Sequence, residues 1–229
     1  MTTSSHRAAP RRSRRAGRPG ADEPDLRQLL LDTAIAQFAR VGIGATSLRA
    51  IATAAEVTPA MLHYYFGDKA RLTQALIDER LLPALTALRT QLERAGDDPA
   101  VLIEGFVRGL GEVVAQHPWL PPLWVREVLC EGGALRDVML RRQGPSIPQM
   151  LAQRFAKAQA EGRLNAALDP RLLVVSLVGL TLFPVASAPV WQQLFGAQDL
   201  GADALREHTL ALLRSGAVGE GTTTPGGAR

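Results

Sequence analysis

Apolar side chains recur along this chain at three- and four-residue intervals, and sustained two-residue alternation is absent, which predicts helices and no sheet. Between Pro24 and Val41 they fall at Leu26, Leu29, Leu30, Ile35, Phe38 and Val41, and Gly42 follows where a left-handed terminating residue belongs. Thr46 or Ser47 then caps a second helix over 48–55. A short turn at Glu56-Val57 leads to Thr58, another cap, and a third helix ends near Tyr65. Asp68 caps a fourth helix from Lys69 towards Arg94, with a bend expected at Pro83.

The pattern continues in the same period. Asp98-Pro99 pairs a cap with a proline at the first helical position and opens a helix that ends near His117-Pro118. Residues 120–129 read as a short helix followed by a Gly-rich connection, and 147–160 as a helix ended by Gly162. Asp169-Pro170 repeats the cap-plus-proline start, and 202–214 form a final helix ended by Gly216. The fold class expected is all-α. Segments 1–23 and 217–229 lack hydrophobic periodicity and are expected to be a disordered Arg-rich arm and a flexible tail.

Three helices joined by tight turns, the second and third about eight residues long, follow the plan of a helix-turn-helix. Leu48, Ile51, Ala52, Ala55, Val57, Leu62 and Phe66 are the side chains available to hold the second and third at a fixed angle, with Ala52 small where helices approach closely. Residues 24–74 are therefore expected to form a DNA-binding domain, and residues 75–216 a second, helical domain.

The run Ser47-Leu48-Arg49-Ala50-Ile51-Ala52, then Ala55-Glu56-Val57-Thr58, then Leu62-His63-Tyr64-Tyr65-Phe66-Gly67-Asp68-Lys69 and Leu72, resembles the signature of the tetracycline-repressor (TetR) family in order and spacing, over about 50 residues. The resemblance implies a transcriptional regulator, in most cases a repressor. It implies that Ser47 and Arg49 approach DNA from the start of the bracing helix, and that Thr58, Pro59, Ala60 and Met61 form the leading end of the recognition helix. His63 and Tyr64 match positions that touch phosphate or a thymine methyl, and Lys69 matches a phosphate contact. The chemistry agrees: hydroxyls, helix N-termini and a cation position a protein on phosphate, while Pro59 and Ala60 offer apolar surface to thymine methyls. Tyr65 and Phe66 are expected in the core.

Three residues depart from the family pattern. Glu56 stands where glycine is usual in the turn, His63 replaces a tyrosine and Met61 a smaller residue. A left-handed glutamate costs on the order of 1 kcal/mol, and a histidine on this face gives affinity a route to pH sensitivity.

Charge sharpens the division of labour. Residues 1–90 carry 13 Lys+Arg against 8 Asp+Glu, and the remainder 13 against 14, so the net excess of positive charge lies in the first two-fifths. Much of it sits in Arg11-Arg12-Ser13-Arg14-Arg15-Ala16-Gly17-Arg18-Pro19, a Gly-Arg-Pro with basic flanks. Arg18 is the candidate for an A·T-rich minor groove; an unspecific basic tail is the equal alternative.

For the second domain the resemblance implies effector binding and dimerisation, with the apolar helix 170–183 and helix 202–214 packing against their copies in a homodimer. Phe106, Leu110, Trp119, Leu123, Trp124, Phe155 and Phe183 are the candidate lining of a pocket for a small apolar or amphipathic effector, with Glu104, Arg108, His117, Arg126 and Glu127 as polar anchors.

Several classes are disfavoured. The charge-free run Leu172–Trp191 has the length of a membrane span, but Pro184 and Pro189 interrupt it, and the chain opens on charge without an apolar stretch, so a cytoplasmic protein is expected. Cys130 is the single cysteine, which removes intrachain disulfides and cysteine-cluster metal sites and is expected to be a small buried apolar side chain. No nucleophile elbow, phosphate-cradling loop, metal-spaced cluster or carboxylate pair marks a catalytic residue, metal or cofactor. The remaining rival is an architectural DNA-binding protein acting through the Arg-rich arm.

Overall fold

The computed structural model describes residues 25–141 and 146–217. Within them lie helices α1 (Leu26–Val41), α2 (Leu48–Ala54), α3 (Pro59–Phe66), α4 (Lys69–Leu76), α5 (Leu82–Arg94), α6 (Pro99–Gln116), α7 (Leu120–Trp124), α8 (Arg136–Arg141), α9 (Ile147–Ala160), α10 (Pro170–Ala186), α11 (Ala188–Phe195) and α12 (Ala202–Ala217). Two π-helical segments, Ile77–Leu81 and Val125–Leu129, follow α4 and α7 directly. The architecture is all-α, as expected.

Side-chain caps act locally at five helix starts, four of them read from the sequence and the fifth, Asp25, not. Asp25, Ser47, Asp68, Asp98 and Asp169 each accept from a backbone N–H in the first turn of the helix they start. Ser47 rather than Thr46 caps α2. Thr46 is buried and its hydroxyl donates back to the Gly42 carbonyl at 2.6 Å.

Two cores form. That of the head gathers Leu30, Leu31, Ile35 and Phe38 from α1, Ile51 and Ala52 from α2, Leu62 and Phe66 from α3 and Leu72 from α4, and it is completed by Leu123 and Leu135 from far along the chain. The second core takes Leu88 and Leu92 from α5, Phe106 and Leu110 from α6, Leu151 and Phe155 from α9, Leu173 and Leu177 from α10, and Leu210 from α12. Trp119 packs against both. A boundary near residue 74 is therefore a boundary of sequence pattern and not of packing. Cys130, at the end of the second π segment, is exposed and not buried as expected.

Both helix-interior prolines are accommodated without ending their helices. At Pro83 the chain does not break: the preceding π turn moves the hydrogen bond of Leu82 N–H to the Ile77 carbonyl, so the helix passes a residue that has no N–H to give. The apolar helix expected to stop at Phe183 runs through Pro184 to Ala186. Pro184 leaves the Leu180 carbonyl without its usual donor, and the buried Thr209 hydroxyl of α12 donates to it at 3.3 Å. Trp191 Nε1 donates to the Pro184 carbonyl at 2.8 Å across the 69° bend between α10 and α11. Among the described residues no single helix is long and apolar enough to cross a membrane.

Candidate nucleic-acid interface

The helix-turn-helix is held from inside. Val57 N–H donates to the Ala52 carbonyl and Ala55 N–H to the Ile51 carbonyl, both at 2.9 Å, which closes the turn between α2 and α3. On α3 only Leu62 and Phe66 are buried. The Arg27 guanidinium of α1 lies 5.0 Å above the Phe66 ring, sealing that end of the core. Thr58, Pro59, Ala60, His63 and Tyr64 are exposed, with Met61 half-buried. Tyr64 is 80% exposed and meets Tyr65 edge to face, whereas Tyr65 packs against the core. One face of α3 is structural and the other is bare.

Individual groups on that face are free to bind. Thr58 starts α3 in extended backbone, and its side chain makes no capping bond. His63 Nδ1 lies 2.6 Å from the Gly67 carbonyl and so must carry the proton, which leaves Nε2 for other contacts. Ser47 is exposed but its Oγ accepts from Ala50 N–H at 3.1 Å. Arg49 is exposed on α2. Arg18 lies outside the described residues.

Lys69 differs from its expected role as a phosphate contact. Its Nζ donates to the carbonyls of Ile43, Gly44 and Thr46 at 2.9, 3.0 and 3.1 Å, so all three donors of the ammonium are turned onto the α1–α2 turn. Arg71, two residues on, is exposed and borders the same hollow as His63, Tyr64 and Gly67, and it forms no ion pair among the described residues. Sequence reasoning passed it over. Its signal was a second cation two residues from Lys69, in the first turn of α4.

Glu56 is the single non-glycine residue with positive φ among the described residues, at 56°. Its side chain is solvent-exposed, so glycine would relieve the backbone without opening a cavity. Glu56→Gly is expected to stabilise the protein by about 1 kcal/mol, a rise of roughly 2–4 °C in melting temperature. A variant that melts no higher than wild type would show that the left-handed glutamate carries no strain.

The seven residues expected to line an effector pocket do not converge on one cavity. Phe106, Leu110 and Phe155 are packed core, with Phe155 fully buried. Leu123 belongs to the core of the head, and Trp119 and Trp124 are half-buried against the second core. Phe183 is 65% exposed on the outside of α10. Among the polar anchors, Glu104 binds Arg108 at 2.9 Å and Arg214 at 3.1 Å, joining α6 to α12.

An open groove of about 390 Å³ lies elsewhere, between the first π segment with α5 and helix α6. Pro83, Ala84, Leu88 and Val113 give it an apolar floor, and Glu79, Arg80, Glu112 and His117 a polar margin. At Gly109 the two helices close on each other: a Cβ there would come within 2.6 Å of Leu88 Cδ1. Burial and the nearby Arg80 push the His117 imidazole below its usual range, which favours its neutral form. Two polar staples tie the same π segment to α1. Arg27 and Glu79 pair in two parallel bonds of 2.6 and 2.5 Å, which holds the Glu79 carboxyl below its ordinary range. Arg80 binds Asp32 at 2.8 Å and Gln28 at 2.6 Å.

A helix-turn-helix head fused to a larger helical body defines a class of DNA-binding regulators, and comparison with known proteins gives the family. Residues 30–76 match the model of bacterial regulatory proteins of the tetR family, and residues 99–215 match the tetracyclin repressor-like C-terminal domain. The chain belongs to the tetR family of bacterial transcriptional regulators. It is 30% identical over 175 residues to the probable acrEF/envCD operon repressor of Escherichia coli strain K12, covering 72% of this chain and 76% of that protein. It is 26% identical over 178 residues to the HTH-type transcriptional repressor SCO4008 of Streptomyces coelicolor, covering 78% and 88%. The ketosteroid transcriptional regulator KstR2 of Mycobacterium tuberculosis shares the fold at a TM-score of 0.63 and 21% identity, over 89% of this chain and 100% of that one.

Proposed function

We propose that this chain is a repressor that binds a palindromic operator as a homodimer and leaves it when a small apolar or amphipathic effector binds. The observation that carries the reading is the bare face of α3, where Thr58, Pro59, Ala60, His63 and Tyr64 are exposed on a helix whose other face is locked into the core. In this reading Thr58, Pro59, Ala60 and Met61 meet base edges. His63 and Tyr64 reach phosphate or thymine methyls, and Ser47, Arg49 and Arg71 lie against phosphates. Arg18 would enter the adjacent minor groove from the arm. The regulator acts in the cytoplasm.

Dimerisation would supply the two-fold symmetry that successive major grooves require. Leu172, Val175 and Phe183 of α10 are each about two-thirds exposed and recur at helical spacing, and Leu212 of α12 is 52% exposed. A second copy covering this stripe would make the four-helix contact that the family resemblance implies.

The groove beside α5 and α6 is the supported effector site. Its volume suits a small ligand, and two of its lining residues, Glu79 and Arg80, are the ones stapled to α1. A ligand wedged there would displace the π segment and pull on the head.

A footprint on the DNA flanking the protein's own gene tests the reading. A discrete protected palindrome, lost on adding a hydrophobic compound that binds the protein, is the expected result. Binding with no discrete site across a range of salt would overturn it in favour of architectural binding through the arm.

A further inference from the structure

We propose that Glu127 is a positioning residue through which the larger helical body sets the geometry of the DNA-binding head. It rests on DNA binding through α2 and α3, and adds a route by which the body governs it. Glu127 lies in the second π segment, 84 residues from Ile43, and is 4% exposed. One carboxylate oxygen accepts from the Ile43 N–H of the α1–α2 turn at 2.8 Å, and the other from the Ala134 N–H of the loop before α8 at 2.9 Å. Among the described residues it forms no ion pair, so two backbone amides, one from each side of the junction, supply its hydrogen-bond donors.

The backbone closes on this residue from both sides, on its side chain at Gly42 and on its main chain at Gly133. A Cβ on Gly42, whose φ is +94°, would lie 3.0 Å from Arg126 Cδ and 3.1 Å from Glu127 Oε1. A Cβ on Gly133 would lie 2.4 Å from the Glu127 carbonyl oxygen. Only glycine admits this approach at either place.

The turn that Glu127 holds is the sole covalent link between α1 and α2, and every other polar hold on it comes from within the head. Lys69 binds the carbonyls of Ile43, Gly44 and Thr46, and Thr46 binds the carbonyl of Gly42. Ser47, the cap of α2, follows at once. Moving Glu127 therefore moves the start of α2, and with it Ser47 and Arg49. A π segment suits such a part, because it holds one residue beyond the α-helical register, as in the Cys130 N–H bond to the Val125 carbonyl at 3.1 Å. Relaxing that register would swing Glu127 away from Ile43 without unfolding its helix.

Three full-length variants test this. Glu127→Ala removes both acceptors. Glu127→Gln replaces the charged acceptor of Ile43 N–H by a weaker neutral one and presents an amide donor to Ala134 N–H. Leu151→Ala, in the core of the body, serves as a control for loss of stability alone. Amide hydrogen exchange on the free proteins should rise in residues 42–50 in the order wild type, Gln, Ala, and stay unchanged there in Leu151→Ala. Affinity for the footprinted duplex, measured well below every melting temperature, should fall about tenfold in Glu127→Ala, less in Glu127→Gln, and not in Leu151→Ala.

Unchanged exchange in residues 42–50 of Glu127→Gln overturns the proposal even if Glu127→Ala fails to fold. So does wild-type affinity in a folded Glu127→Ala, or an equal loss in Leu151→Ala. A wild-type protein that protects no duplex would count against the functional reading, and the exchange experiment alone would then decide the role of Glu127.

Discussion

Val175→Asp is expected to yield a folded monomer that binds the operator about 10²–10⁴-fold more weakly than wild type. Val175 is 65% exposed in the single subunit, so the substitution opens no cavity and strands no core contact. In a two-fold interface the same residue appears on both sides. One substitution thus places two carboxylates in an apolar seam, and each loses hydration without gaining a partner. The affinity loss is the avidity of one head for a half-site once its partner already holds the other. Sedimentation and a binding isotherm on a full palindrome and on a half-site check it. A Val175→Asp protein that remains dimeric at wild-type affinity would take this stripe of α10 out of the interface.

Lys69→Met is expected to cost about 3 kcal/mol of stability, because hydrogen bonds from a charged donor are worth more than neutral ones and three are lost together. The carbonyls of Ile43 and Thr46 sit in partly buried surroundings, while that of Gly44 is exposed and regains water. The loss corresponds to a fall of roughly 6–12 °C in melting temperature for a chain of this size. The two readings of Lys69 separate cleanly. A phosphate contact would leave melting unchanged and lower the slope of log affinity against log salt by about one. A clamp on the turn gives the reverse. Arg71→Ala should supply the missing change in slope.

The elements of the head were legible because three of its four helices start at a side chain that acts locally, and the third helix starts at a proline. Asp25, Ser47 and Asp68 cap the helices they precede, and Leu62 and Phe66 recur at the spacing that faces a core. The left-handed Glu56 was foreseeable for the same reason, since a tight turn constrains φ whatever lies around it. Pro184 misled because its helix is continued by a hydroxyl 25 residues away, and no local pattern carries that partner. The aromatic residues expected in a pocket were apolar at helical spacing, which a packed core also demands, so Phe106 and Phe155 carry no mark that separates the two. Glycine at 109 and a half-buried His117 were the traces of the groove, and they gain meaning only once α5 lies against α6. The carbonyl partners of Lys69 were not legible, because they lie 23 to 26 residues upstream.

The sharing of the head's core has a practical consequence for chimeric regulators. A graft that transfers residues 25–76 to another helical body would leave behind Leu123 and Leu135, which fill the inner side of the head. The transplanted head would present its reading face on a loosened support, and a poor result would be misread as a wrong operator. A graft that also carries residues 119–138 brings the plug with the socket: Trp119, Leu123, Glu127 and Leu135 travel together, and the joint moves into the outer body, where α5 and α6 already provide a self-contained seam.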